Sequence, residues 1–294
     1  MQEKEGGSVE QKRRKDKKSR KSSNIAIWIM LILGVFLLSY PAVSNYVNSL
    51  SQSRVITTYT RQVDEMDTAE VKAILEKAEK HNQEVAESGI NWRLDDAQEA
   101  EYQSLLNMSG DGVMGFIEIP KIKVYLPIYH GTSDAALQVG VGHIDGSSLP
   151  VGGTSSHCIL SGHRGLPSSK LFTDLDELEV GDKFTLNILG RVYTYEVDQI
   201  SIVLPDDLSQ TKIIEGEDLV TLVTCTPYGI NTHRLLVRGQ RIDNDPAAKA
   251  QVMPDATQIE PLQIQVVSVI VISVLIIFRE LLRTTKRKER GGKK

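Results

Sequence analysis

The chain has 294 residues, of which 40% are apolar and 5% aromatic, a composition that fits a globular core and excludes a disordered chain. Its formal charge of −4 conceals two basic ends, since residues 11–21 carry eight Lys or Arg and residues 279–294 carry eight more. The residues between them, 22–278, carry 32 acidic and 17 basic side chains. Each basic end borders an apolar run, which favours a membrane over nucleic acid as its partner.

The first predicted element is a transmembrane helix at residues 24–43, preceded by a basic tail at residues 1–23. Residues 25–40 hold no charged side chain and carry Trp28 and Tyr40 near their ends. The positive-inside rule places the basic tail in the cytoplasm. A cleaved signal peptide is the alternative, because residues 42–44 read Ala-Val-Ser, but the apolar run is long for such a peptide.

Residues 44–111 are predicted to form a helical extension in front of the main domain. Apolar side chains recur at helical spacing over residues 57–86, which predicts one amphipathic helix. Residues 88–111 follow as a polar connector, in which Trp92 is the largest aromatic side chain. A solvated stalk is the alternative to a helix that lies against the domain.

Residues 112–242 are predicted to be mainly β, because short β-prone runs alternate with turns and little helix is indicated. Such a pattern is typical of a closed barrel or a sandwich. Gly190 marks a hairpin tip at residues 189–191. The predicted strands are residues 113–118, 124–128, 156–161, 183–188, 191–202, 219–224 and 235–241.

A linker at residues 243–260, a second transmembrane helix at 261–282 and a basic tail at 283–294 complete the predicted organisation. Residues 264–278 are uncharged and reach spanning length when their apolar neighbours are included. With a basic cluster on the outer side of each span, both termini are expected in the cytoplasm and the acidic middle outside the cell.

The sequence TLVTCTPYGINTHRLLVRG, residues 221–239, delivers Cys225 to the end of one predicted strand and Arg234 to the start of the next. The sequence HCILSGHRG, residues 157–165, places His163 where another strand gives way to a turn. An imidazolium and a guanidinium both favour the thiolate form of a neighbouring thiol, which is the nucleophile. Arginine also offers two hydrogen bonds to a developing oxyanion. These residue types together predict an acyl-transfer site.

Three other interpretations compete with this site. Two cysteines in an extracellular domain suggest a disulfide, but strand alternation directs Cys158 away from the face that carries His163. A zinc site from Cys225, His163 and another histidine lacks any metal-ligand spacing, so no metal or cofactor is expected. The glycine-rich segment at residues 140–146 is interpreted as a flexible turn, since it has no strand–helix context for a phosphate loop.

The two quoted motifs resemble the signature of sortases, which are membrane-anchored cysteine transpeptidases of Gram-positive bacteria built on an eight-stranded β-barrel. Residues 126–153 and 225–239 are similar to class C, the pilin-polymerising sortases, and a second span fits that class. The resemblance implies that Cys225 attacks the Thr–Gly bond of an LPXTG-like sorting signal, that His163 transfers protons and that Arg234 holds the substrate and the oxyanion. The acceptor would be a lysine amine of the next pilin subunit.

Other site residues are expected with less specific signals. Thr224, Ser161 and His143 are predicted substrate contacts. Class C enzymes commonly cover the site with a lid carrying an Asp-Pro-aromatic motif, whereas residues 89–102 here contain no proline. Trp92 and Asp95 or Asp96 imitate that motif in the wrong order, so we expect a site that is open or loosely covered.

Two alternative functions remain at this stage. The first is a sortase that anchors proteins to a peptidoglycan precursor. The second is a non-catalytic membrane-bound scaffold whose barrel binds extracellular peptides.

Overall fold

The computed structural model describes residues 4–244 together with residues 272, 273 and 279, with side chains described from residue 29 onward. The chain divides into two compact units, one that contains residues up to Val43 and one that begins at Ser44. The predicted second span at 261–282 lies outside the described residues apart from the three isolated positions. The basic tail at 283–294 and all but the first two residues of the predicted linker also lie outside them.

Helix α1 (Lys4–Glu65) contains the predicted first span. Its part from Ile29 to Glu65 is long and apolar enough to cross a membrane, with a mean hydropathy of 1.6 and 6% of its most apolar window buried. The described residues hold one such helix. Because it lies near the N-terminus, its length and composition fit either an anchor or a signal sequence.

The helical extension is divided into more helices than the sequence pattern predicts. The single helix expected at residues 57–86 is wrong, because α1 ends at Glu65 and α2 (Thr68–Ser88) begins after Asp67, whose carboxylate caps the Glu70 N–H. The expected polar connector contains a third helix, α3 (Asp96–Ser104), which starts with a capping box between Asp95 and Gln98.

Eight strands form a closed barrel in the order β1-β2-β3-β4-β7-β8-β6-β5. Most neighbours are antiparallel, but β2 is parallel to β3 and β4 is parallel to β7. A short helix, α4 (Asp134–Val139), connects β2 to β3. The strands are β1 (Val113–Ile119), β2 (Val124–His130), β3 (Val141–His143), β4 (Ser156–Ser161), β5 (Lys183–Ile188), β6 (Arg191–Val203), β7 (Asp218–Thr226) and β8 (His233–Arg241).

The strand pattern is confirmed except at β3. Residues 140–146 were expected to be a flexible turn, whereas Val141–His143 pairs with both β2 and β4. The strand requires glycine at position 142, because an added Cβ would lie 2.4 Å from the carbonyl oxygen of Gly131 and clash with it. The expected hairpin tip is confirmed, with Leu189 at φ 49° and Gly190 at φ 74°.

Each extension helix contacts the barrel through at least one buried polar side chain. The Tyr59 hydroxyl of α1 donates to the Met114 carbonyl at 2.8 Å. The Asn82 amide of α2 donates to the Leu149 carbonyl at 3.0 Å, and the Tyr102 hydroxyl of α3 lies 2.9 Å from the ring of His143. Because buried polar groups need such partners, these contacts fix where each helix lies. The extension from Ser44 onward is therefore a helical layer packed on the barrel.

Candidate functional site

Cys225 and Arg234 are directly paired across the antiparallel strands β7 and β8. Directly opposite residues project from the same face of a sheet, with Cβ atoms about 5 Å apart. Thr224 and Leu235, the next pair in the register, are buried and face the barrel interior. Cys225 and Arg234 consequently project from the outer face, where both are half-buried.

His163 follows β4, which runs parallel to β7, the strand that carries Cys225. Ser161, the last residue of β4, pairs with Val223, so the next two residues bring His163 toward the level of Cys225. Two hydrogen bonds extend this register past the end of β4: the Gly162 N–H donates to the Val223 carbonyl at 3.0 Å, and the Thr224 hydroxyl donates to the Gly162 carbonyl at 2.7 Å. The half-buried imidazole is thus held next to the strand that carries the thiol.

The two cysteines occupy different environments and both are free. The disulfide interpretation is therefore wrong for this structure. Cys158 lies in the barrel core at 2% exposure, where burial raises the pKa of its thiol well above the ordinary value. A buried protonated thiol is inert, whereas Cys225 is reachable at the barrel surface.

The Arg234 guanidinium is held at the start of β8 by the loop that precedes it. Its Nη1 donates to the carbonyl oxygens of His233 at 3.1 Å and Asn231 at 3.4 Å. Within the described part of the chain no carboxylate forms an ion pair with Arg234, so its positive charge is available to a bound ligand.

The three predicted substrate contacts occupy different positions. Ser161 is half-buried on β4, two residues from His163. Thr224 is buried and supports the turn that carries His163 rather than facing the surface. His143 is completely buried, with one ring nitrogen on the Tyr102 hydroxyl and the other on the Ser148 carbonyl. The prediction that His143 contacts the substrate is wrong, because this network seals it inside the barrel.

The predicted lid residues lie away from Cys225. Trp92 lines a cavity of about 970 Å³ with Ser155 and Glu215, which adjoin the first residues of β4 and β7. Cys225 lies seven residues along β7 from Asp218, a separation of about 23 Å in an extended strand. Asp95 caps helix α3, and Asp96 is its first residue. These three residues therefore form no lid over the thiol.

Among the described residues, the group of three His, Cys, Asp or Glu side chains that lie close enough to hold a metal ion does not include Cys225. Ligand atoms of His81, Glu84 and Glu101 lie within 4.8 Å of one another on the helical extension. Both carboxylates are exposed, and Lys80 pairs with Glu84 at 2.9 Å, so the negative charge there is already partly compensated. We assign no metal to this cluster.

Sequence analysis missed Arg164 and Tyr228, which contact each other beside the site. Both stand inside the quoted motifs, immediately after His163 and three residues after Cys225. Their contact depends on β4 lying next to β7, which no local pattern indicates.

Residues 117–242 match the family described as Sortase domain. Sortase D of Bacillus subtilis strain 168 is 35% identical over 131 residues, a match that covers 44% of this chain and 63% of that protein, just under two thirds of its length. The solved structure of sortase C1 from Streptococcus agalactiae is 54% identical with a TM-score of 0.65, and the match covers 65% of this chain and all of that one. Sortase C from Clostridium perfringens, solved with the C-terminal cell wall sorting motif, is 44% identical with a TM-score of 0.58, covering 65% of this chain and 99% of that one.

Proposed function

Because this chain belongs to the sortase family of cysteine transpeptidases, we propose that it is a membrane-anchored enzyme that polymerises pilin subunits. The carrying observation is the register that pairs Cys225 with Arg234, together with the parallel pairing of β4 with β7 that leads the chain toward His163. The likeness to sortase C1 supports class C, in which a lysine amine of a pilin is the acceptor.

In the proposed first half-reaction, the Cys225 thiolate attacks the threonine carbonyl carbon of the Thr–Gly bond in an LPXTG-like sorting signal. Arg234 donates hydrogen bonds to the carbonyl oxygen while negative charge develops on it. The C–N bond then breaks, and the His163 imidazolium gives its proton to the departing glycine amine. The product is a thioester between Cys225 and the sorting signal.

The second half-reaction reverses these roles. The lysine amine of the next pilin attacks the thioester carbonyl and loses a proton to the His163 imidazole. The C–S bond breaks, and its electron pair returns to the sulfur as the thiolate. The isopeptide bond joins the two subunits, and the enzyme regains its starting protonation without any cofactor.

The proposed membrane attachment is supported by the N-terminal helix and the charge distribution. The apolar part of α1 supports an anchor, and the basic residues in front of it support a cytoplasmic N-terminus. With the apolar run at 261–282 as a second span, the C-terminus is also cytoplasmic and the barrel lies outside the cell.

A reaction with purified pilin tests this proposal. Incubation of the full-length enzyme with a pilin that carries its sorting signal is expected to give ladders of covalent oligomers on denaturing gels. Cys225→Ala is expected to abolish the ladders while the variant still binds the sorting signal. Hydrolysis alone, or transfer to a peptidoglycan-type amine alone, would favour wall anchoring. Unchanged function in Cys225→Ala would favour a non-catalytic scaffold.

A further inference from the structure

Arg164 connects the turn that carries His163 to the strand end that carries Cys225. Its Nη1 donates to the Thr226 hydroxyl at 3.3 Å, and its Nη2 pairs with the Asp176 carboxylate at 2.5 Å. The side chain is 8% exposed, so the guanidinium is almost fully removed from water. Arg164 directly follows His163 and Thr226 directly follows Cys225, so a single side chain bridges the neighbours of both reacting groups.

Tyr228 adds a second contact between the same two segments. The Arg164 guanidinium carbon lies 5.9 Å from the centroid of the Tyr228 ring, within the range of a cation–π interaction. The ring also lies against Gly165, where an added Cβ would approach it to 3.0 Å. Gly165 has φ 74°, a conformation that glycine adopts without strain. The turn is shaped to receive the aromatic ring of the β7–β8 loop.

Asp176, which pairs with Arg164, lies in a segment that is packed against the barrel core. It lies in a short 3₁₀ turn, Leu175–Glu177, whose first residue is completely buried in the core. The Phe172 N–H donates to the His163 carbonyl at 3.1 Å, and Phe172 is also completely buried. The guanidinium is therefore paired with a half-exposed carboxylate on a turn whose neighbouring residues are packed in the core.

We propose that Arg164 is a positioning residue that fixes the imidazole of His163 relative to the sulfur of Cys225. The Asp176 side chain is 49% exposed, and an Arg–carboxylate pair that is open to solvent on one side contributes little net stability. The Nε of Arg164 is moreover buried without a hydrogen-bond partner among the described residues. Arg164 thus contributes more to the geometry of the site than to the stability of the fold. Small displacements of a proton-transfer group reduce rates strongly, so this geometry matters for acyl transfer. The inference rests on the proposed function.

The test compares Arg164→Ala with Arg238→Ala in the full-length enzyme. Arg238 forms a part-buried bidentate pair with Asp198 and lies opposite Thr221, four residues along β7 from Cys225, so its removal costs an equivalent ion pair elsewhere. Among the described residues, Asp176, Tyr228, His233 and Arg234 are charged or titratable groups near His163 and Cys225, and they stay unchanged. One readout is the alkylation rate of Cys225 by iodoacetamide as a function of pH. The other is kcat and KM for acylation by a sorting peptide.

Arg164→Ala is expected to lower the alkylation rate of Cys225 near neutral pH by about tenfold, because a displaced imidazole assists the thiol less. It is also expected to lower kcat at least about tenfold with KM within about threefold of wild type. Arg238→Ala should leave the profile and kcat unchanged. The proposal is overturned when the Arg164→Ala profile coincides with that of wild type, or when Arg238→Ala lowers the rate equally.

Two features keep the test decisive. Alkylation needs no peptide, so a wild-type enzyme that accepts no sorting peptide would refute the proposed function while the pH profile still reports on Arg164. When Arg164→Ala does not fold, Arg164→Lys replaces it, since a lysine ammonium can pair with Asp176 but lacks the planar fork that also reaches Thr226. An intermediate fall in the alkylation rate supports the inference, and a profile unchanged from wild type overturns it.

Discussion

At the scale of single residues, side chains alternate between the two faces of each strand. This alternation explains why Cys158 is buried in the core whereas Cys225 lies at the barrel surface. Alternation correctly directs Cys158 into the core and away from the face of His163. The same reasoning does not reach His143 or Trp92, because their surroundings come from distant segments: Tyr102 seals His143, and the loop before β7 receives Trp92. Local pattern thus predicts the face of a side chain but not the segments that cover it.

We expect that lysine cannot replace the planar guanidinium of Arg234. Arg234→Lys keeps the charge but loses the pair of coplanar N–H donors, so kcat for acylation should fall at least about tenfold. Alkylation of Cys225 should change little, because the positive charge beside the thiol remains. The measurement is steady-state acylation with a sorting peptide. Equal kcat in Arg234→Lys and wild type would contradict the assigned role.

Protonation of His143 is expected to make the free energy of unfolding, rather than the rate of catalysis, depend on pH. Burial lowers the pKa of His143 from 6.5 to about 4, so between these values the unfolded chain binds a proton that the folded chain does not. Stability is therefore lost as pH falls through this window, by about 2 kcal/mol at pH 5. Urea unfolding at pH 7.5 and pH 5 should show this loss diminished in His143→Gln. The same pH difference in variant and wild type would contradict the assignment.

At the scale of elements, two strands that are bounded by turn residues are predicted to the residue. Residues 156–161 and 183–188 coincide with β4 and β5. Strand β3 was missed because its three residues include Gly142, whose role depends on a close approach to Gly131. The break after α1 was missed because Asp67 and Glu70, a helix-start pair, stand inside an otherwise continuous helical pattern.

Helix α1 also contacts the loop that follows His163. We therefore predict that this helix restrains the local opening of the loop. The Asn45 side chain accepts from the Lys170 N–H at 2.8 Å, and the Asn48 amide donates to the Ser168 carbonyl at 2.8 Å. Removing both amides by Asn45→Ala and Asn48→Ala should speed hydrogen exchange at residues 166–171 by about tenfold, since these bonds resist local opening.

Hydrogen-exchange mass spectrometry of the double variant checks this role. The matched control is Thr57→Ala, which removes an exposed hydroxyl that bonds within α1 to the Ser53 carbonyl. Faster exchange in the double variant and not in the control is expected. Unchanged protection at residues 166–171 would show that α1 does not hold this loop.

At the scale of the whole molecule, the proposed catalytic arrangement depends on strand order. Cys225 and Arg234 are close in sequence, but His163 joins them because β4 and β7 are parallel neighbours in a closed barrel. Short strands alone predict a barrel or a sandwich, and the resemblance to sortases supplies the eight-stranded closure. The strand order itself depends on long-range pairing, which no local sequence pattern encodes.

The mass of the intact enzyme after incubation with LPXTG-like peptides tests the central claim most directly. We predict a mass increase equal to the mass of the peptide minus the mass of the fragment released after threonine. This increase should be lost on treatment with hydroxylamine and should be absent from Cys225→Ala. An unmodified mass with every peptide, or an adduct that persists in Cys225→Ala, would contradict acyl transfer through this sulfur.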